Sequence, residues 1–227
     1  MISIIIPAHN EEKYILKTIN SIKKQKFKKY EIIVVLDGCT DKTLSKIKGK
    51  VNKIINLKKR NGPGIAKNEG AKKAKGEILV FLDADTYMAE GLLELIYNKR
   101  NEYRVGTALM RPSNDKFKHK FFMWMKNKIV TPKGVSNGII FCKKKIFEKV
   151  KGFPNVKKGE DGQFIFKVLG CKRSIKDMIF KNKKFFVAQN YVISSTRRFD
   201  EKGYLYIALY WIKEYIKPSN KDYEIVR

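Results

Sequence analysis

The chain has 227 residues, 43% hydrophobic and 32% charged, with 50 Lys+Arg against 22 Asp+Glu and a formal net charge of +28. This is a globular composition, long enough to bury a substantial core, and it excludes a disordered chain. Three scattered cysteines and two histidines, with no CxxC pair, exclude a disulfide framework and a structural zinc site, so a metal here is expected to be a hard cation on oxygen.

The opening "MISIIIPAHN" has no basic leader and only a short apolar run, so "ISIII" (2–6) is expected to be a first buried strand and not a signal peptide. "NEEKYILKTINSIKKQ" (10–25) spaces Ile15, Ile19 and Ile22 as one helical face, with Asn10 as its expected N-cap. "EIIVVLD" (31–37) predicts a second strand, and Thr40 a cap for the helix "DKTLSKIKGK". "VNKIINL" (51–57) predicts a third strand. "GPGIAKNEGAKKAKG" (62–76) opens as a helix with Pro63 in its first turn and Gly76 beyond its end. "EILVFLDAD" is the expected fourth strand, followed by a helix over 89–100.

Past residue 100 the pattern loosens. A strand is expected over 103–112, an aromatic-rich helix over 115–129 with "MWM" as packing, then strand and helix over 135–153, a helix over 159–170, a late strand "KKFFVAQN" and a final aromatic helix over 203–216. No run approaches the ~18–20 apolar residues that span a bilayer. Four strand–helix alternations with short connections predict an α/β fold: a parallel sheet with helices on both faces. One domain over 1–227 is expected.

In such sheets ligands sit at the carboxyl ends of the strands. The strand ends read "PAHNEE", "DGCTD" and "DADT", so the scarce acids are expected to gather at one edge. Asp83 and Asp85, two apart on an extended segment, would share a face and repel unless a cation sits beside them; Mg²⁺ or Mn²⁺ bridging a diphosphate is the natural neutraliser, and a solvated turn is the plain alternative. Asp37 reads either as a turn acid or as an acceptor for a nucleobase or ribose. Glu160-Asp161 reads either as helix capping or as the source of a general base. Arg197-Arg198 reads as a forked grip on a diphosphate or as a solvated turn. His9 and His119 receive no role.

Taken together, "IIIPAHNEE", "VVLDGCTD", "GPGIAKNEGAKKAKGEILVFLDAD", "GFP" and "GED" resemble, over roughly residues 1–170, the family 2 inverting glycosyltransferases of GT-A fold. The resemblance implies that Pro7, Ala8 and Glu11 cradle the donor nucleoside, that Asp37 reads the base, and that Asp83 and Asp85 form the DXD metal-and-ribose motif with Asp85 the direct ligand. It implies Asp161 as catalytic base, with Glu160 beside it. It further implies a mixed, mostly parallel, Rossmann-like sheet flanked by helices, with a nucleotide-binding half about 1–110 and an acceptor and catalytic half about 111–227. Relatives often carry an arginine before the asparagine of the third helix; here Lys67 stands there as the expected donor-nucleotide contact, a point charge in place of a fork. The implied activity is inverting transfer of a sugar from a UDP- or GDP-linked donor to a hydroxyl or polyprenyl phosphate, with Mg²⁺ or Mn²⁺.

Two rival readings stand beside it. A sugar nucleotidyltransferase would want a Gly-rich, basic loop after the first strand, where this chain has "PAHNEE". A non-catalytic protein binding RNA or anionic membrane would use the charge, yet the lysines are scattered and no nucleic-acid motif accompanies them, so no specific nucleic-acid partner is expected. The charge and the aromatic "GYLYIALYWIKEYI" point to a cytoplasmic protein peripheral to the inner membrane face, with a glycan or lipid-phosphate acceptor.

Overall fold

The computed structural model of the chain describes residues 1–156, 159–171, 184–204 and 206–207. Its frame is an eight-stranded mixed sheet in the order β3-β2-β1-β4-β7-β6-β8-β5. Strands β1 (Ile2–Ala8), β2 (Tyr30–Asp37), β3 (Lys53–Leu57) and β4 (Ile78–Leu82) form a parallel half, β1 pairing with both β2 and β4. The apolar runs of β1, β2 and β4 follow from burial on both faces, whereas β3, at the sheet edge, is only partly buried. Ile4, Ile6, Val34, Leu36, Val80 and Leu82 meet Ile15, Ile19 and Ile22 of α1 (Ile15–Lys23) and Leu92, Leu93 and Ile96 of α4 (Leu92–Asn98). On the opposite face Ile5, Ile33, Val35, Leu79 and Phe81 meet Ala66 and Ala71 of α3 (Pro63–Lys72), Phe147 of α6 (Lys144–Lys149) and Phe164, Ile165 and Val168 of α7 (Glu160–Leu169).

Strand β7 (Ile139–Lys143) lies antiparallel between β4 and β6 (Val105–Pro112), so it begins beside the carboxyl end of β4. Beyond β6 comes β8 (Phe185–Ser194), then β5 (Thr86–Met88) antiparallel to it. The sequence reading merged β5 into the segment after β4, because three residues carry no period of their own.

Two expected helix caps are replaced by loop-to-loop bonds. Helix α1 starts at Ile15, and Asn10, at φ 55°, instead accepts from the Thr40 and Asp41 amides (2.8 and 3.3 Å). Helix α2 spans only Thr43–Ile47, and Asp41, not Thr40, accepts the Thr43 amide at 2.9 Å. These short Asn and Asp side chains reach neighbouring backbone better than they serve a distant helix end. Helix α5 (Phe117–Met125) continues as a π turn over Lys126–Val130. Helix α8 covers Arg197–Lys202; the helix expected over 203–216 lies mostly outside the described residues.

Close approach of α3 to the sheet depends on Gly70, where a Cβ would stand 2.4 Å from Ile5 Cγ2 and 3.1 Å from Val35 Cγ2. Ala in a helix interior is favoured over Gly by about 1 kcal/mol, whereas overpacking costs about 1–3 kcal/mol. The clash falls on β-branched side chains of central strands, so the second effect wins. Gly70→Ala should therefore lose up to about 2 kcal/mol of stability in urea unfolding, against the helix-propensity trend.

Candidate active site

A cleft opens at the carboxyl edge of the parallel strands, lined by Pro7, Ala8, His9, Glu11, Asp37, Pro63, Asp83, Ala84, Asp85, Glu160 and Asp161. Six carboxylates thus converge in a chain of net charge +28, and among these lining residues there is no Lys or Arg. The elements explain the convergence: β1 delivers residues 7–11, β2 ends on Asp37, β4 runs into the 83–85 turn, and the first turn of α7 brings Glu160 and Asp161.

The first loop is tied to the second. Thr43 Oγ1 accepts the Glu11 amide at 2.9 Å, Asp41 Oδ2 the Glu12 amide at 3.0 Å, and Glu12 Oε2 the Lys42 amide at 3.0 Å. Asp37 is buried, and its two carboxylate oxygens accept the amides of Asn61 (2.7 Å) and Gly62 (2.8 Å), fastening the lead-in to α3. His9, given no role from the sequence, lines the cleft with Nδ1 2.7 Å from the Asp37 carbonyl oxygen.

Asp83 and Asp85 do not lie on one extended strand. Strand β4 ends at Leu82 and the acids occupy a turn closed by Thr86 N–H donating to the Asp83 carbonyl at 3.1 Å, yet both reach the same cleft. The Ala84 carbonyl accepts from Thr18 Oγ1 at 2.6 Å, anchoring the turn to α1. Gly138, at φ +78°, accepts the Asp83 amide at 2.9 Å, and a Cβ on it would sit 3.4 Å from Asp83 Oδ2.

Lys67 is fully engaged. Its ammonium donates to Glu160 Oε1 at 3.1 Å and to Asp161 Oδ1, and it stands 5.0 Å over the Phe153 ring. Burial alone would lower the Lys67 pKa, but Asp161, then Glu160 and Asp83, hold it above an ordinary lysine. Among the sequence-predicted contacts this one differs most in kind: the Lys67 side chain, buried and outside the cleft lining, points its charge at acids and not at a donor phosphate. The neighbouring Asn68 clamps "GFP", donating to the Phe153 carbonyl and accepting its amide, both at 2.9 Å.

Asp161 is held from its other side by Ser136, whose Oγ donates to Oδ2 at 2.8 Å. Ser136 went unnoticed in the sequence, since a lone serine in a loop carries no spacing signal. The segment Ser136-Asn137-Gly138 touches Asp161 at one end and Asp83 at the other, with Asn137 between them bonded to Thr107 and Ala108 of β6 (3.2 and 2.8 Å). Arg197 and Arg198 open α8, and their side chains lie outside the described residues.

Desolvation pushes the Glu160 carboxyl pKa up, and the attraction of Lys67 offsets this only in part. The folded chain therefore keeps a proton on Glu160 at pH values where the unfolded chain has released it. Stability from this source is complete below the unfolded value and is lost as pH rises through the folded one. Glu160→Gln keeps an oxygen acceptor for Lys67 and removes that loss. Its melting temperature relative to the parent should rise between about pH 4 and about pH 7, read by calorimetry at both.

A divalent ion fits this donor set. Among the described residues no three His, Cys, Asp or Glu groups form a ready-made protein cage. An ion that bridges phosphates needs only one or two carboxylates, with water and phosphate filling the shell, and the 83–85 turn presents two.

An acid-lined cleft at the carboxyl edge of a helix-flanked, mixed sheet defines an α/β protein with a site for a cation-accompanied ligand. A sequence profile described as Glycosyl transferase family 2 matches residues 3–156, and the chain belongs to that family. Poly(ribitol-phosphate) beta-N-acetylglucosaminyltransferase TarS of Staphylococcus aureus (strain Mu50 / ATCC 700699) is 39% identical over 99 residues, 40% of this chain and 17% of that protein. GalNAc(5)-diNAcBac-PP-undecaprenol beta-1,3-glucosyltransferase of Campylobacter jejuni is 35% identical over 107 residues, 44% of this chain and 35% of that protein. The matches thus span well under two thirds of either relative. Among solved structures, S. aureus TarS 1–349 in complex with UDP-GlcNAc superposes with a TM-score of 0.65 at 24% identity, over 86% of this chain and 58% of that one. Mannosyltransferase PcManGT from Pyrobaculum calidifontis, in complex with GDP-Man and Mn²⁺, gives 0.68 at 16% identity over 97% and 65%. These likenesses bear out the expected fold.

Proposed function

We propose that the chain is a metal-dependent inverting glycosyltransferase that moves a sugar from a UDP- or GDP-sugar to a hydroxyl of a glycan or to a lipid phosphate, as one domain over 1–227. One observation carries this reading: six carboxylates line a cleft that a nucleoside diphosphate, itself an anion, would have to enter. An unaccompanied diphosphate would be repelled there, and a divalent cation on Asp83 and Asp85 removes the repulsion. When bound, such an ion supplies Lewis-acid stabilisation of charge on the leaving diphosphate.

The chain's own side chains do the rest. Pro7, Ala8 and Glu11 are assigned to the nucleoside, and Asp37 to base or ribose through the lone pairs its two amide bonds leave over. Asp161, the less buried of the two acids on Lys67 at 22% side-chain exposure against 7% for Glu160, takes the acceptor proton as the hydroxyl attacks the anomeric carbon. The bond to the diphosphate breaks on the opposite face, so one displacement inverts the centre and no sugar–enzyme bond forms. Glu160 supports Lys67 from within. Arg197 and Arg198 are assigned to the diphosphate or acceptor.

The acceptor class is drawn from two relatives whose names carry poly(ribitol-phosphate) and PP-undecaprenol, and from the +28 charge, which attracts phosphate-bearing acceptors. A cytoplasmic location at the inner membrane face follows from the same reasoning. Among the described residues no helix is long and apolar enough to cross a membrane.

The test is thermal unfolding with UDP- and GDP-sugars, each with and without Mn²⁺. A matched donor at a hundred times its Kd adds about 2.7 kcal/mol, roughly 5–10 °C for a chain of this size. The rise should appear with one nucleotide class and vanish with EDTA. No shift with any donor in the presence of metal overturns the proposal.

A further inference from the structure

Helix α5 has two faces of different character. His119, Phe122, Met123 and Lys126 are buried, packing toward β6 and α8. Outward stand Phe117 (81% exposed), Phe121 (53%) and Trp124 (57%), at the i, i+4, i+7 spacing of one stripe, with Ile129 (52%) beyond them. The sequence reading of "MWM" as packing thus holds for Met123 and fails for Trp124. The three rings stack in a row, Phe117 on Phe121 at 6.3 Å and Phe121 on Trp124 at 6.0 Å. Folded monomers seldom expose contiguous aromatic surface of this kind without a use for it.

Charge says what covers it. Residues 116–133 contain six lysines and no acid. Lys118 and Lys120 project on either side of the stripe, and the acids they meet are themselves partly or fully exposed, Asp200 at 3.7 Å and Asp115 at 2.7 Å, so both pairs are weak. A second copy brings the same lysines to the same face and is repelled. A single-stranded nucleic acid needs open ring faces for its bases, whereas these rings stack on each other and the stripe runs on into an aliphatic Ile129. A flat, anionic, apolar-cored surface satisfies every part: rings in the acyl boundary, ammonium groups at the headgroups.

We infer that the Phe117–Phe121–Trp124 face of α5 is a docking surface for an anionic lipid bilayer. The same chain segment leads, eleven residues after Met125, to Ser136 and its bond to Asp161, which ties the docking helix to the site by a short stretch of chain. This deepens the lipid-phosphate acceptor reading, but its test is made without donor or metal and so fails or succeeds separately from it.

The full chain is co-sedimented with vesicles of phosphatidylcholine alone and of phosphatidylcholine with phosphatidylglycerol, at low and high salt. Binding is expected only with phosphatidylglycerol, weakened by salt, and at least about tenfold lower for Phe117→Ser/Phe121→Ser/Trp124→Ser. Phe121 and Trp124 are nearly half buried, so some loss of melting temperature is expected and binding is compared at a temperature where both chains are folded. In a Trp211→Phe background, Trp124 emission should shift to the blue on vesicle addition and be quenched by brominated lipid. Any of four results overturns the inference: no binding by the parent; equal binding by the triple variant; a dimer in sedimentation velocity that the triple variant dissociates; or affinity for poly(U) that the triple variant loses while vesicles go unbound.

Discussion

Asp161→Asn is expected to lower turnover by about 10²–10⁴-fold, the usual worth of a single general base, while donor affinity stays within a factor of about two of the parent. The geometry makes the variant a fair one. The carboxamide oxygen it introduces would still accept from Lys67, and the carboxamide NH₂ would lie where Ser136 Oγ now donates to Asp161 Oδ2 at 2.8 Å, a hydroxyl that can turn to accept. The hydrogen bonds survive, but buried Lys67 loses the nearer of its two counter-charges, so the melting temperature should fall and rates are compared where both chains are folded. What is lost is the capacity to hold a proton taken from the acceptor. Single-turnover rates and metal-dependent thermal shifts, read on the same preparation, separate the two quantities. A variant with intact shift and intact rate would move the base elsewhere. Ser136→Ala makes the companion measurement: an acid that loses its second anchor should keep its chemistry but lose orientation, a loss of about tenfold in kcat with unchanged KM for donor.

The second large effect is structural. Lys67→Met leaves Glu160 and Asp161 side by side with no cation between them, in a region where Glu160 is already pushed up by desolvation. Removing one partner of a buried ion pair costs about 3–5 kcal/mol, which for a chain of this length is roughly 6–20 °C in melting temperature. The deficit should shrink toward acid pH, because protonating the orphaned Glu160 carboxyl removes the charge that burial penalises. Lys67→Arg retains a cation and should recover most of the stability. Urea titrations at about pH 5 and about pH 7.5 measure both the loss and its slope. A deficit below about 1 kcal/mol would mean that water screens the trio.

These two residues show how far the sequence could be read. The three buried strands of the parallel half, β1, β2 and β4, declared themselves through apolar runs such as "ISIII" and "EIIVVLD", because a strand covered on both faces has no reason to alternate. The gathering of Asp37, Asp83 and Asp85 followed from strand polarity, since parallel strands deliver their ends to one edge, whereas Asp161, in the first turn of α7, was expected there only through the family resemblance. Lys67 was a different matter. Its place on the third helix was legible, but its partners lie more than ninety residues away, and only the packing of α3 on α7 makes them neighbours. Ser136 and Gly138 were hidden for the same reason: β7 had to turn antiparallel beside β4 before the segment ahead of it could touch either acid. Asn10 misled because a cap and a loop-bridging amide look identical in one dimension.

The ends of the sheet carry a consequence for how the chain behaves in company. Its two outermost members are β3, of five residues with Lys53 and exposed Asn56, and β5, of three. Margins that brief, in a molecule this strongly charged, offer little template for another chain to hydrogen-bond against. The isoleucine wealth that stabilises the interior is thereby kept from becoming a route to fibrils, and electrostatic repulsion between molecules is part of that protection. Screening shortens such repulsion to about 8–10 Å at ordinary ionic strength, so concentrated brine is where self-association of this chain would first be favoured.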